Sequence, residues 1–464
     1  MNDNTRNDAN VVPARRPLTR RGFIQLSGGV LAAGAGASAL AACGSSGSSA
    51  SSTAAGASSA AAGGGTSGKT QLTLMSWEQF EVGEKAAWFK VVNDFQTANP
   101  NISVSWTGWP FATYDQNVIT QAEAGGINAD LVMCPPELAS ALISKFGMAV
   151  PLQSITDDLK LTPIPAHEQF MVNGNLEGLG IIDVPFAIDY DQRMLKAAGF
   201  SDPPTTLDEW LSVSEALTHS PNQFGNALLN DVADGADWWN QLQNFPLAYG
   251  GAWATGKTLQ FTSAPVVQSM KYWMELLDKS GPKGSSEAAI TKLWQSDRIA
   301  MNLEVAAGLN SLKTLAPQLY PNLRSFAPPW PGKKAISRLH AVLVLKSSKN
   351  QAAAMELVKW MITPTNLYNV TTANGYPIIP YSNFGDYEPA YETYLKTTPW
   401  MSGYLETNYV GEIDVLGDYT LVYAQIGNII TRAMANAVSG GASVESALAA
   451  AQQQAQQELG PQVQ

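Results

Sequence analysis

Between Thr70 and Cys134 the chain alternates strand-like and helical runs, and this alternation limits the fold more than any other feature. Thr70-Gln71-Leu72-Thr73-Leu74-Met75 has the period-two pattern of a strand. From Glu84 to Ala98, the residues Ala87, Trp88, Val91, Val92 and Phe95 share one helical face, and Asn99-Pro100 stops the run. Ile102–Trp106 reads as the next strand, Tyr114–Ala124 as a helix closed by Gly125-Gly126, and Ala129–Cys134 as a buried strand. A helix between successive strands carries the chain back over the sheet, so this order predicts a parallel α/β lobe.

The middle of the chain changes character. Leu207–Leu217, Asp237–Tyr249, Val266–Lys279 and Glu287–Trp294 read as helices broken by Pro/Gly turns and dense in Trp and Phe. Leu339–Leu345 reads as a second buried strand, followed by helical zones at Gln351–Met361 and Leu421–Leu459. There is no internal repeat.

Upstream of the ordered region, Thr19-Arg20-Arg21-Gly22-Phe23-Ile24-Gln25 resembles a twin-arginine export signal, and Leu40-Ala41-Ala42-Cys43 resembles a lipobox. The Gly28–Leu40 run between them is mostly Gly, Ala and Ser, too weakly apolar for a span of about 20 strongly apolar residues. The reading predicts that residues 1–42 are removed. Cys43 is then acylated, and the protein is held at the outer face of the cell membrane, in a periplasm or at a cell surface. From Gly44 to Gly68 the chain is Ser, Ala, Gly and Thr with no charge, which predicts that residues 43–69 form a flexible stalk with a typical reach of about 25–30 Å.

With the signal gone, about 420 of the 464 residues remain, too many for one ordinary core. The formal net charge of −11 includes a signal of five Arg and two Asp, so the remainder stands near −14. Such a balance, without a Lys/Arg cluster, argues against nucleic acid and against adhesion to anionic lipid. Cys134 is the only thiol besides Cys43, and its apolar strand context predicts a packed, inert side chain. The three histidines, His167, His219 and His340, have no metal-ligand spacing, and no cofactor or metal is expected.

From about Thr70 onward, the chain resembles the extracellular solute-binding proteins of bacterial ABC importers, in particular the maltose- and trehalose-type sugar-binding family. The resemblance rests on an ordered series of short motifs. They include Phe95-x4-Pro100-x-Ile102-x-Val104, Ala122-x-Ala124-Gly125-x4-Asp130-Leu131-Val132 and Gly147-x3-Pro151-Leu152. The fullest piece runs through Asn173-Gly174-Asn175-Leu176, Tyr190-Asp191-Gln192-x-Met194-Leu195-x3-Gly199 and Pro204-Thr205-Thr206-x-Asp208-Glu209-Trp210. Ala300-Met301 and Ser347-Ser348-Lys349-Asn350-x-x-Ala353 complete the series. Three positions depart from the family pattern. Gly180 replaces a usual Pro before the first crossover strand, Val305-Ala306-Ala307 replaces a Gly-Pro-Trp, and Leu339-His340 replaces a Gly-rich second crossover.

The resemblance implies a two-lobed α/β periplasmic-binding-protein fold of type II. Lobe I would comprise residues 70–182 and 341–384, and lobe II residues 185–338 and 385–464, with crossovers near Asp183 and Arg338–Ala341. It implies a monomeric, non-enzymatic receptor that closes on a carbohydrate or polyol and presents it to an ABC permease. A sugar site needs flat aromatic platforms and fixed acceptors, and strand ends are where cleft loops emerge. Trp77 and Glu78 follow the first strand and Glu137 the Ala129–Cys134 strand. Asp183 and His340 lie on the crossovers, Glu304 ends the Ala300–Leu303 strand, and Trp238, Trp253, Trp330 and Tyr376 complete the candidates. A non-sugar cargo (a polyamine, glycerophosphodiester or peptide) remains an alternative. A secreted glycosidase is a further one, although no carboxylate pair or nucleophile motif stands out.

Overall fold

A computed structural model describes residues 68–81 and 85–463; the export motif, Cys43 and nearly all of the expected stalk lie outside the described residues. Strand β1 (Thr70–Met75) pairs in parallel with β2 (Ile102–Thr107) and with β3 (Leu131–Cys134). Helix Lys85–Ala98 crosses from β1 to β2 and buries Trp88, Val91, Val92 and Phe95, the face its periodicity predicts. Helix Phe111–Glu123 makes the second crossover, so the expected parallel α/β arrangement is present.

Small hairpins β4 (Met171–Val172) with β5 (Asn175–Leu176), and β7 (Ala254–Thr255) with β8 (Thr258–Leu259), decorate the body. Two long strands organise the rest: β6 (Leu179–Asp191) and β11 (Lys334–Val344). They pair antiparallel from Leu179 to Pro185, and the C-terminal part of β11 also pairs with β3. Beyond that, β6 leaves β11 and pairs with β9 (Met301–Val305) and β10 (Leu323–Phe326). The first residues of β11 pair with β12 (Asn408–Val410). The strand order is β10-β6-β11-β3-β1-β2, so the same two strands serve a parallel sheet at one end and an antiparallel one at the other. This is a two-lobed α/β architecture in which β6 and β11 cross between the lobes.

Several elements differ from their sequence reading. The Leu421–Leu459 zone is two helices, Tyr423–Val438 and Val444–Glu458, separated where Gly440 takes φ 78°. Asp237–Tyr249 is helix Gly235–Leu242 followed by a 3-10 turn at Phe245–Tyr249, because Pro246 cannot continue an α-helical ladder. The Leu339–Leu345 strand is the end of a longer one, whose polar start (Lys334, Ser337, Arg338) hides its strand character. Helices Pro364–Asn374 and Glu388–Thr397 lack a strong apolar stripe and escaped the pattern.

Gly180 explains one departure from the family pattern. Its N–H donates to Nε2 of His167 at 3.0 Å, and a Cβ there would lie 2.8 Å from that nitrogen. A proline could supply neither the donor nor the space. Burial lowers the His167 pKa to about 4, so the ring is neutral and can accept this bond.

Candidate functional site

A cavity of about 420 Å³ opens where β6 and β11 pass between the lobes, within the usual range of about 300–1,000 Å³ for small-molecule sites. One wall is aromatic: Trp77 follows β1 and Phe111 begins the helix after β2, both at the carboxyl ends of parallel strands. Side chains alternate across a strand. Val184 and Phe186 on β6, with Arg338 and His340 on β11, therefore share the face that borders the cavity. An acidic wall comes from three further segments: Asp237 on helix Gly235–Leu242, Glu287 opening helix Glu287–Gln295, and Glu304 on β9.

The aromatic wall is rigid. Trp77 is 2% exposed and meets Phe111, Tyr114 and His340 edge to face, with ring centroids 5.1–5.7 Å apart. Tyr376 joins the lining directly after Gly375, which caps helix Pro364–Asn374 with φ 81°. A Cβ on Gly375 would come 2.5 Å from the Asn310 side chain, so this left-handed cap requires glycine.

His340 is 5% exposed, and neither ring nitrogen has a hydrogen-bond partner. Burial and the nearby Arg338 charge hold its pKa well below the ordinary imidazole value. It is neutral, with one donor and one acceptor to offer.

On the acidic wall, Glu304 accepts from the Val305 N–H at 2.8 Å and from Asn302 Nδ2 at 3.2 Å, yet burial pushes its pKa up to about 7. The Glu304 charge, followed by burial, drives Glu287 well above the carboxylate range. Burial, then the charges of Asp234 and Glu287, does the same to Asp237.

Among the described residues, Arg338 is the one cation lining this cavity, and it is already engaged. Its Nη2 is 2.6 Å from Glu137 and its Nε 2.6 Å from Glu412, while the guanidinium lies 5.4 Å from the Tyr423 ring centre. Burial, opposed by Arg338, places Glu137 at about 7 and Glu412 at about 8. The guanidinium thus joins a carboxylate beyond β3 to one beyond β12. A second cavity of about 200 Å³, bordered by Glu137, Asp115, Trp239 and Tyr423, shares Phe111 and Asn240 with the first.

The structure brings Trp77, Glu304, His340 and Tyr376 together around the larger cavity, and places Glu137 at the smaller one. The other candidates lie elsewhere. Asp183 is on the opposite face of β6, where its carboxyl accepts from Ser337. Glu78 is fully buried in the turn after Trp77, outside the lining. Trp238 stacks on Trp273 at 5.8 Å, Trp253 packs between Trp239 and Phe261, and Trp330 packs against Trp210 and Phe245. These three indoles build the core.

Sequence reasoning missed Asp237, Asn240, Gln241 and Glu287. The first three fall at i, i+3 and i+4, a polar stripe on a Trp-rich helix, and that spacing was the available signal. Cys134 is buried, unpaired and raised well above its ordinary pKa by burial, as its strand context predicts.

Among the described residues, no His/Cys/Asp/Glu group is arranged to hold a metal ion, and no helix is long and apolar enough to cross a membrane. No curated protein matches the chain. Solved structures share the fold at low identity. An ABC substrate-binding protein from Listeria monocytogenes in complex with cycloalternan is 17% identical, with TM-score 0.70, covering 84% of this chain and 99% of that one. A maltose-bound protein of T. maritima is 16% identical, with TM-score 0.70, covering 84% and 100%. A Mycobacterium tuberculosis protein in complex with glycerophosphocholine is 15% identical, with TM-score 0.71, covering 86% and 100%. The bacterial extracellular solute-binding family matches residues 90–391, and the chain belongs to that family.

Proposed function

We propose that this protein is a receptor that captures a carbohydrate or polyol between its lobes and delivers it to an ABC permease. The observation that carries the reading is the cavity itself. Its lining combines the aromatic rings of Trp77 and Phe111 with the polar groups of Asn240, Gln241 and Glu304, beside the two crossover strands. Aromatic rings suit the C–H face of a sugar, and carboxylates and amides suit its hydroxyls. Structural relatives crystallised with cycloalternan and maltose support the same class of solute.

In this reading the lobes divide near Asp183–Val184 and Arg338, and a ligand touching both walls stabilises the closed arrangement. The protein acts as a monomer. It is tethered through an acylated Cys43, and Cys43→Ser is expected to move it from the membrane fraction to the medium or periplasm.

The test is intrinsic tryptophan fluorescence against mono- to trisaccharides and polyols, with thermal shift in parallel. A saturable response to at least one member is expected, with Trp77 as the nearest reporter. Silence across the whole panel overturns the sugar reading.

A further inference from the structure

We propose that the solute carries a protonated amine, seated against Asp237, Glu287 and Glu304. The inference deepens the receptor reading and rests on it, since both place the solute in this cavity.

Three carboxyl groups from three separate segments face one cavity, and Asp234 and Asp189 stand close behind them. None of the salt bridges among the described residues involves any of the five. Arg338, the one cation among the described lining residues, is spent on Glu137 and Glu412. In the ligand-free protein this crowding is relieved by protons held on the carboxyls; an ammonium takes over that role with a fixed charge, which a neutral sugar cannot do. An ammonium group supplies one positive charge and three donors to a wall made of acceptors.

A second observation points to a ligand independently of the acids. His340 is buried at the same cavity with both ring nitrogens unpartnered, which is costly unless a ligand satisfies them. Its acceptor nitrogen suits a further N–H or O–H of the solute. The aromatic rings of Trp77 and Phe111 in the same lining are compatible with a cation. An anionic group, such as a phosphate, is excluded from this end of the cavity by the same carboxyls.

The shared chemistry is a protonated amine, from an amino sugar or from a linear polyamine. Isothermal titration of the purified protein separates the sources, using glucosamine and spermidine as amines and glucose, maltose and mannitol as neutral solutes. At least one amine is expected to bind about ten- to hundredfold more tightly than every neutral solute. Its affinity should fall as salt rises from 50 to 500 mM, at roughly the strength expected of screened charges. Glu304→Gln and Asp237→Asn should each weaken amine binding by about tenfold and flatten its salt dependence. Thermal melts check that both variants fold. Preference for glucosamine assigns an amino sugar and keeps the carbohydrate class; preference for spermidine assigns a polyamine, which keeps the receptor role and replaces that class. A neutral solute that binds as tightly as the best amine overturns the inference and leaves the receptor reading standing. Binding by neither set overturns both.

Discussion

Trp77 and Trp238 are both buried indoles, yet only Trp77 borders the cavity; Trp238 is sealed against Trp273 in the core. Their roles separate experimentally. Trp77→Ala removes a face of the solute site, so affinity should weaken on the order of tenfold in a ligand titration. Trp238→Ala opens a core cavity and should cost about 3–5 kcal/mol in urea unfolding, with the affinity of the folded fraction unchanged. Equal loss of affinity in both variants would contradict this division. Composition alone does not distinguish the two residues, because each sits in an apolar, aromatic stretch. The difference is which side of its element each one occupies, and the partner elements set that. Asp183 makes the same point: one position away from Val184 on β6, its carboxyl turns to the opposite face and bonds Ser337.

Strands β6 and β11 do most to set the site, because alternation along them offers Val184, Phe186, Arg338 and His340 to a single face. Arg338 in turn ties the element after β3 to the one after β12 through two 2.6 Å contacts. Arg338→Ala leaves both Glu137 and Glu412 buried without a counter-charge. It is expected to destabilise the protein by about 3–5 kcal/mol, read as a lower urea midpoint at an unchanged slope. A variant within about 0.5 kcal/mol of the parent would show that the tether contributes little. Both long strands were hard to read from sequence. β6 contains Pro185 and the acids Asp183, Asp189 and Asp191, and β11 begins with charged residues, so neither shows simple apolar alternation. Their strand character comes from pairing with distant partners.

At the scale of the molecule, the buried acids give stability a definite pH dependence. Glu137 and Glu304 titrate at about 7 and Glu412 at about 8, all above the ordinary 4.5. Folding therefore holds protons that the unfolded chain releases, and stability falls as pH rises through these values. The buried histidines act in the opposite direction, but their lowered pKa values confine that effect to pH below about 6.5. The ligand-free protein should melt at a lower temperature at pH 8 than at pH 6.5, and Glu304→Gln should reduce the slope. A melting temperature that rises over this window would sink the assignment. Much of the architecture was legible in the sequence because helix and strand periods are local: the β1–β3 alternation, helix Gln351–Met361 and the ordered family motifs all follow from near neighbours. The candidate site was legible only at Trp77, Glu304, His340 and Tyr376, with Glu137 at its edge. Asp237, Glu287 and Glu304 come from three separate segments, and nothing local tells a carboxyl which others it will meet. The sequence by itself determined the elements and the family; tertiary pairing alone decided which acids and rings face one another, because facing depends on strand register and helix rotation set by distant contacts.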